Sequence, residues 1–143
     1  MAIGTYEQIL KRFPDFAPAQ KHLAAVYLKD PSALDKAYEF AVKARRTLSD
    51  DPELARTLGE ISYKRKEYSR ALQLLQESAR RTPLDANGLY YLGMSQLEAK
   101  QKPQAREALE RALAVADSVG DLDELSSDGQ ICFQRVGVEE TGR

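Results

Sequence analysis

The sequence predicts an all-α fold, a solenoid of stacked antiparallel helix pairs, on three observations. Ala37, Ala71 and Ala105 recur 34 residues apart, an interval that matches one helix-turn-helix unit of a repeat array. Around Ala71 and Ala105 the same alternation of small and large side chains returns in register, with Leu58-Gly59 answered by Leu92-Gly93. Gly, Pro and Asp then mark breaks that group the helices in pairs. A unit of this kind buries its apolar side only against neighbours, so the working surface of an array is a groove rather than a catalytic pocket.

Taken in order, six or seven helices are expected over residues 2–119, about 3.5 repeats. Ala2, Tyr6, Ile9 and Pro14 echo Ala71, Leu75, Ser78 and Pro83 at the same spacing, so residues 2–16 read as the second half of a repeat. A second helix without its own first helix leaves an apolar side uncovered, which predicts an excerpt from a longer array with Met1 supplied for expression. The repeat over 17–51 carries Leu23, Ala24 and Tyr27 on its first helix and Ala37, Ala41 and Ala44 on its second. Its one extra residue falls in Lys29-Asp30-Pro31, after which Ser32 and Asp35 have the spacing of a capping box that would start the second helix.

The repeat over 52–85 opens with Asp51-Pro52-Glu53, a capping side chain, a proline where its missing N–H costs nothing, and an acid favoured at a helix N-terminus. Leu54, Ala55, Leu58, Ile61 and Ser62 then fall at helical spacing with Gly59 on their shared face. A partner helix near 68–81 has the stripe Ala71, Leu72, Leu75 and Ser78/Ala79, and Pro83 ends it. The repeat over 86–119 returns Leu89, Leu92, Gly93 and Gln96, then Ala105, Leu109, Ala112 and Leu113, with Pro103 in the partner's first turn. From 120 to 143 the pattern is lost. Gly120, Ser126, Ser127, Asp128, Gly129, Gly137 and Gly142 predict a disordered or irregular tail. Its apolar residues Ile131, Phe133 and Val136 either stay free or lie against the end of the last repeat or in a neighbouring molecule's groove.

Spacing, small residues at close crossings and terminal prolines together resemble the tetratricopeptide repeat family over roughly residues 2–119. The tryptophan common early in that family's first helix is replaced by Gln20, Ala55 and Leu89, and the later tyrosine by Ser62 and Gln96. The resemblance implies a right-handed superhelix whose first helices line a concave side that holds peptides or partner domains, without catalysis or cofactor. By position it implies an inward set of Lys21, Ala25, Leu28 and Lys29, then Glu53, Arg56, Glu60, Tyr63 and Lys64, then Asn87, Tyr90, Met94, Leu97 and Glu98. Helix geometry supports part of this set on its own, since Arg56, Glu60, Tyr63 and Lys64 share a face distinct from that of Leu58, Ile61 and Ser62. A subset of the family grips a terminal carboxylate through lysines and asparagines. Ala25 and Thr57 stand where asparagines are needed, so that specificity is not expected. Tyr63, Tyr90, Tyr91 and Met94 among mixed charges favour an extended or helical peptide with apolar anchors. Adjacent Tyr90 and Tyr91 point about 100° apart, so one of them is expected to be packing.

Other function classes find little support. The 21 Lys and Arg nearly balance 22 Asp and Glu, and the clusters Lys43/Arg45/Arg46 and Arg80/Arg81 close second helices, where cations complement the helix dipole. Nucleic acid is therefore not an expected partner. His22 lacks companions for metal binding or base catalysis and reads as a helix-surface residue. Cys132 lacks a nearby histidine, and Gly59 and Gly93 sit inside helices rather than in a phosphate loop. No apolar run approaches the ~18 residues of a membrane span, so a soluble chain of unassigned compartment is expected. The alternative to a peptide-binding scaffold is self-assembly through the repeat ends around Tyr6/Ile9 and Leu109/Leu113.

Overall fold

A computed structural model describes residues 2–119, and among them every regular element is helical. Helix α1 spans Ala2–Arg12, α2 Ala17–Leu28, α3 Leu34–Thr47, α4 Pro52–Lys64, α5 Tyr68–Arg81, α6 Ala86–Glu98 and α7 Lys102–Val119. A single 3-10 turn, Pro31–Ala33, separates α2 from α3. The tail from 120 onward, with the predictions made for it, lies outside the described residues.

Packing follows chain order. The principal pairs are α2 with α3, α4 with α5 and α6 with α7, and successive pairs meet through α3 on α4 and α5 on α6. The first helices also touch one another, α2 on α4 and α4 on α6, with no comparable packing among α3, α5 and α7. Elements that crowd on one side and spread on the other curve the stack, so α2, α4 and α6 line its inner face.

Recurrent local chemistry produces the recurrent pairs. Asp51 accepts hydrogen bonds from the backbone N–H groups of Glu53 and Leu54, and Asp85 from that of Gly88, which caps α4 and α6 34 residues apart. The turns that follow these helices place Lys66 and Lys100 at φ 66° and 62°. Each lets the next residue close a wide bond back into the helix, Glu67 N–H to Ser62 C=O and Gln101 N–H to Gln96 C=O, both 2.8 Å. Side-chain-bearing residues in this left-handed region cost about 1–2 kcal/mol.

The crossing inside each pair is set by side-chain volume. A Cβ on Gly59 would lie 2.8 Å from Leu75 Cγ, and one on Gly93 2.7 Å from Leu109 Cγ. Glycine on the first helix therefore admits leucine from the second. Ala24 and Ala41, at the same register in the first repeat, are both fully buried in one cluster, so there the volume is split between two alanines.

Three sequence expectations are corrected. The extra residue of the first repeat does lie between α2 and α3, but Ser32 and Asp35 form no capping box. Asp30 accepts from the Ser32 N–H and starts the 3-10 turn, while α3 begins after Ala33 without a side-chain cap. On α5, Ala79 faces solvent and Leu74 takes the buried place beside Leu75, because the helix turns its stripe toward α4 as well as α6. On α7, Leu113 is 42% exposed, since no following helix packs over it among the described residues, whereas Leu109 is fully buried inside its own repeat.

Candidate functional site

The inner face is built on α4 and α6. On α4, Arg56 and Lys64 flank Glu60 at one-turn spacing, with Arg56 Nη1 3.6 Å and Lys64 Nζ 3.8 Å from its carboxylate oxygens. Such i,i+4 pairs each contribute a few tenths of a kcal/mol and hold the three side chains along one ridge. Tyr63, on the same side of α4, meets Tyr91 of α6 with ring centroids 5.4 Å apart and Tyr68 of α5 at 5.3 Å. Tyr91 meets Tyr90 edge-on at 5.1 Å, and Lys64 Nζ sits 5.8 Å from the Tyr91 centroid. Four tyrosines thus form a continuous aromatic run across three helices, each pair in the tilted or edge-on geometry that the ring quadrupoles favour.

This run accounts for several of the predicted site residues. Tyr91 links Tyr63 to Tyr90 by ring contacts and so takes part in the run instead of serving as packing alone. Tyr90 and Tyr91 are both half-buried against the Leu75, Leu89 and Leu92 cluster. Met94 and Leu97 are 5% and 8% exposed and pack with Ala105 and Leu109 beneath Tyr63 and Tyr90. They are floor rather than lining, because the glycine at position 93 draws α7 close and turns the adjacent residues inward. Asn87 and Glu98 are partly exposed near opposite ends of α6.

Lys21 and Lys29 lie apart from the tyrosines. Lys21 Nζ reaches from α2 to Asp51 at 2.7 Å and Glu53 at 3.2 Å, joining the first repeat to the start of the second. Partial desolvation pulls the Lys21 ammonium down, but hydrogen bonds to Asp51 and Glu53 and their charges outweigh it and leave its pKa above the ordinary lysine value. Desolvation likewise opposes ionisation of Asp51, yet the Lys21 bond and the backbone N–H groups of Leu54 and Glu53 hold its carboxyl below the usual range. Lys21 is thereby committed to the repeat junction. Lys29 is exposed at the C-cap of α2.

Two features escaped the sequence reading. Phe13 and Phe16, in the turn between α1 and α2, are 62% and 44% exposed. Phe16 occupies the N-cap position that Asp51 and Asp85 fill in the next two repeats, with the same extended backbone and no side-chain hydrogen bond. Its signal was available in the register of the two capping aspartates. His22, read as a surface residue, is half-buried and stacks on Tyr6 at 4.2 Å, binding α1 to α2.

Among the described residues no group of three or more His, Cys, Asp or Glu is arranged to hold a metal ion, and no helix is long and apolar enough to cross a membrane. The face offers aromatic rings, the exposed amine of Lys64 and the half-buried guanidinium of Arg56. A comparison with curated proteins finds no match. Among solved structures, MamA superposes with a TM-score of 0.71 at 22% identity, covering 95% of this chain and 72% of that one. YrrB, described as a TPR protein with an unusual peptide-binding site, superposes with a TM-score of 0.66 at 19% identity, covering 96% and 76%. The tetratricopeptide repeat description matches residues 35–86 and again 56–120, and with the sequential stacking and 34-residue recurrence of caps and turns this places the chain in the tetratricopeptide repeat family.

Proposed function

We propose that the chain is a protein-interaction scaffold that takes a peptide or a partner segment on the inner face of α4 and α6. The carrying observation is the aromatic run Tyr68-Tyr63-Tyr91-Tyr90, edged by Arg56 and Lys64 and floored by Met94 and Leu97. Half-buried tyrosines held by their neighbours give a partner apolar area at little ordering cost, and a few such anchors dominate affinity at most interfaces. Family membership and the peptide-binding description of YrrB favour the same reading.

A photo-reactive residue at position 64 tests it, with a second at Gln73 on the exposed side of α5 as control. Expected is light-dependent capture of a discrete protein partner in the native cell from position 64 and not from 73. Equal capture from both positions, or capture from 73 alone, would reject the inner face. Tyr90→Ala is unsuited to this purpose, because Tyr90 packs against three apolar clusters and its loss would lower stability with binding.

A second reading, self-assembly, is favoured by exposed Phe13 and Phe16 near one end of the stack and Leu113 on its last helix. Sedimentation of wild type against Phe16→Asp over a range of concentrations decides it. Assembly that weakens in the variant supports end contacts, and a strict monomer in both rejects them.

A further inference from the structure

One edge of the tyrosine face carries a charge imbalance that the fold itself disfavours. In residues 64–70 and 98–102, where α4 and α6 end and α5 and α7 begin, six cations meet two acids, a surplus of four on a chain whose net charge is −1. Lys64 closes α4, where a cation complements the helix dipole. Four of the others sit where stability disfavours them. Lys66 and Lys100 hold the left-handed turns, at φ 66° and 62°, that glycine occupies at least cost. Arg70 and Lys102 lie in the first turns of α5 and α7, where the dipole favours acids and neither helix has one. The pattern recurs in two successive repeats, so it is not an accident of one turn. Arg65, the sixth cation, is taken up by Asp35 at 2.9 Å and Glu67 at 2.8 Å. Lys64, Lys66, Arg70, Lys100 and Lys102 are exposed.

We propose, resting on the groove reading, that the segment held on the inner face is acidic: an apolar or aromatic anchor lies on the tyrosines and a tract of side-chain carboxylates follows along this edge. Two observations carry it. The first is continuity between rings and charge. Tyr68 meets Tyr63 at 5.3 Å and also lines an open cleft of about 460 Å³, whose cations are Lys66 and Arg70 and whose acids are Glu98 and the Arg65-bound Glu67. Lys64 Nζ lies 5.8 Å from the Tyr91 centroid, so a segment leaving the rings meets an amine within about two residues. The second is charge complementarity with a direction. At the opposite edge, where α4 and α6 start, Asp51, Glu53 and Asp85 outnumber Arg56 around a second cleft. Carboxylates are attracted at one edge and repelled at the other, which fixes the orientation of the segment. Exposed charges of this kind steer encounter and select the partner more than they add affinity, so the tyrosines supply the apolar contact and the lysines decide which apolar segments are admitted.

Selection from a random peptide library against the full chain tests this, with every peptide fused through its C-terminus so that acidity is read from side chains alone. Selected peptides should combine aromatic or aliphatic residues with Asp and Glu, and their binding should weaken as salt is added. Lys66→Gly/Lys100→Gly relieves both left-handed turns, so its unfolding midpoint should be unchanged or higher while affinity for the selected peptides falls about tenfold. Lys66→Asn/Lys100→Asn, also at ease in that backbone, should lose as much. Lys11→Gln/Arg12→Gln removes the same charge from exposed positions on α1 and should bind as wild type does. Equal losses in the α1 variant and the turn variants would ascribe the effect to net charge and overturn the proposal, as would unchanged affinity in the turn variants. Amide NMR shifts at Tyr63, Tyr90 and Tyr91 then separate the two readings. Neutral or basic peptides that move these amides leave the groove standing and refute the acidic partner alone. Acidic peptides that bind without moving them, or a library that yields no binder, overturn both.

Discussion

The Gly59–Leu75 crossing gives the sharpest test of how volume sets the stack. Alanine at 59 would place its Cβ 2.8 Å from Leu75 Cγ and 3.4 Å from the Ala71 carbonyl oxygen. The contacting atom is the branch point of a fully buried leucine, not the end of a mobile side chain, so relief requires the two helices to part. Overpacking of this kind costs about 1–3 kcal/mol, against which alanine recovers about 1 kcal/mol of helix propensity. Gly59→Ala should therefore destabilise by about 1 kcal/mol, a melting temperature lower by about 4 °C. Leu75→Ala alone leaves a cavity and should cost about 2–5 kcal/mol. In that background the obstruction is gone and only the propensity gain remains, so the same Gly59→Ala change should stabilise by about 1 kcal/mol. The double variant recreates the Ala24/Ala41 arrangement of the first repeat. A four-member cycle read by thermal and urea unfolding should thus show a change of sign and a coupling near 2 kcal/mol. An effect of the same sign in both backgrounds would refute the volume argument.

Four further outcomes follow from the geometry, three of them local. Phe16→Asp should stabilise by about 0.5–1 kcal/mol, because the backbone at 16 already has the extended capping conformation of Asp51 and an aspartate there would accept from the Ala19 N–H alone, Pro18 having none to give; urea unfolding checks it. Lys66→Gly should be neutral to about 1 kcal/mol stabilising, as relief of a positive φ outweighs the entropy lost to glycine, and Lys66→Val should destabilise in the same assay. Asp51 has a folded pKa below its unfolded value near 4, so its stabilising contribution is complete at neutral pH and disappears as pH falls through the folded value. Asp51→Asn should accordingly lower stability at pH 7 and flatten the acid limb of a stability–pH curve. The fourth outcome concerns salt and is developed last.

The fold was legible because its determinants are periodic. Alanines at 37, 71 and 105, glycines at 59 and 93, and the caps at 51 and 85 repeat at constant register, and each proves to be buried or bonded as its period requires. The site was less legible for a physical reason. Helical phase predicts which face a residue occupies but not its depth, and Met94 and Leu97 sank because Gly93 brings α7 in close. Adjacency of Tyr90 and Tyr91 predicts that one of the two is packing, whereas both rings join the run and Tyr91 reaches Tyr63 on the neighbouring α4. Phe16 went unread because an exposed aromatic carries no period of its own. Only its substitution for an aspartate in the repeat register reveals it.

The first inter-repeat junction adds a set of ion pairs to its apolar contact, and salt should reveal what they contribute. Between the first and second repeats, Lys21 pairs with Asp51, Arg45 with Glu77 at 2.7 Å, Arg65 with Asp35 at 2.9 Å and Arg81 with Asp50 at 3.2 Å. Between the second and third, Leu75, Leu84, Leu89 and Leu92 form the contact with Leu72, Tyr90 and Tyr91 around them. Partly exposed ion pairs are worth about 0–1 kcal/mol each, so the four together supply on the order of 1–2 kcal/mol at low ionic strength. That sum is screened at 1 M salt, where the Debye length is about 3 Å. Apolar contact is not screened. Since stability in a stack is close to a sum of unit and interface contributions, added sodium chloride should release α2 and α3 before α6 and α7. Hydrogen exchange followed residue by residue would register faster exchange at Ala24 and Ala41 with little change at Leu92 and Leu109. Equal acceleration in both regions would mean that the charges are spectators and that the first junction is held, like the second, by Leu54, Leu58 and Ile61 alone.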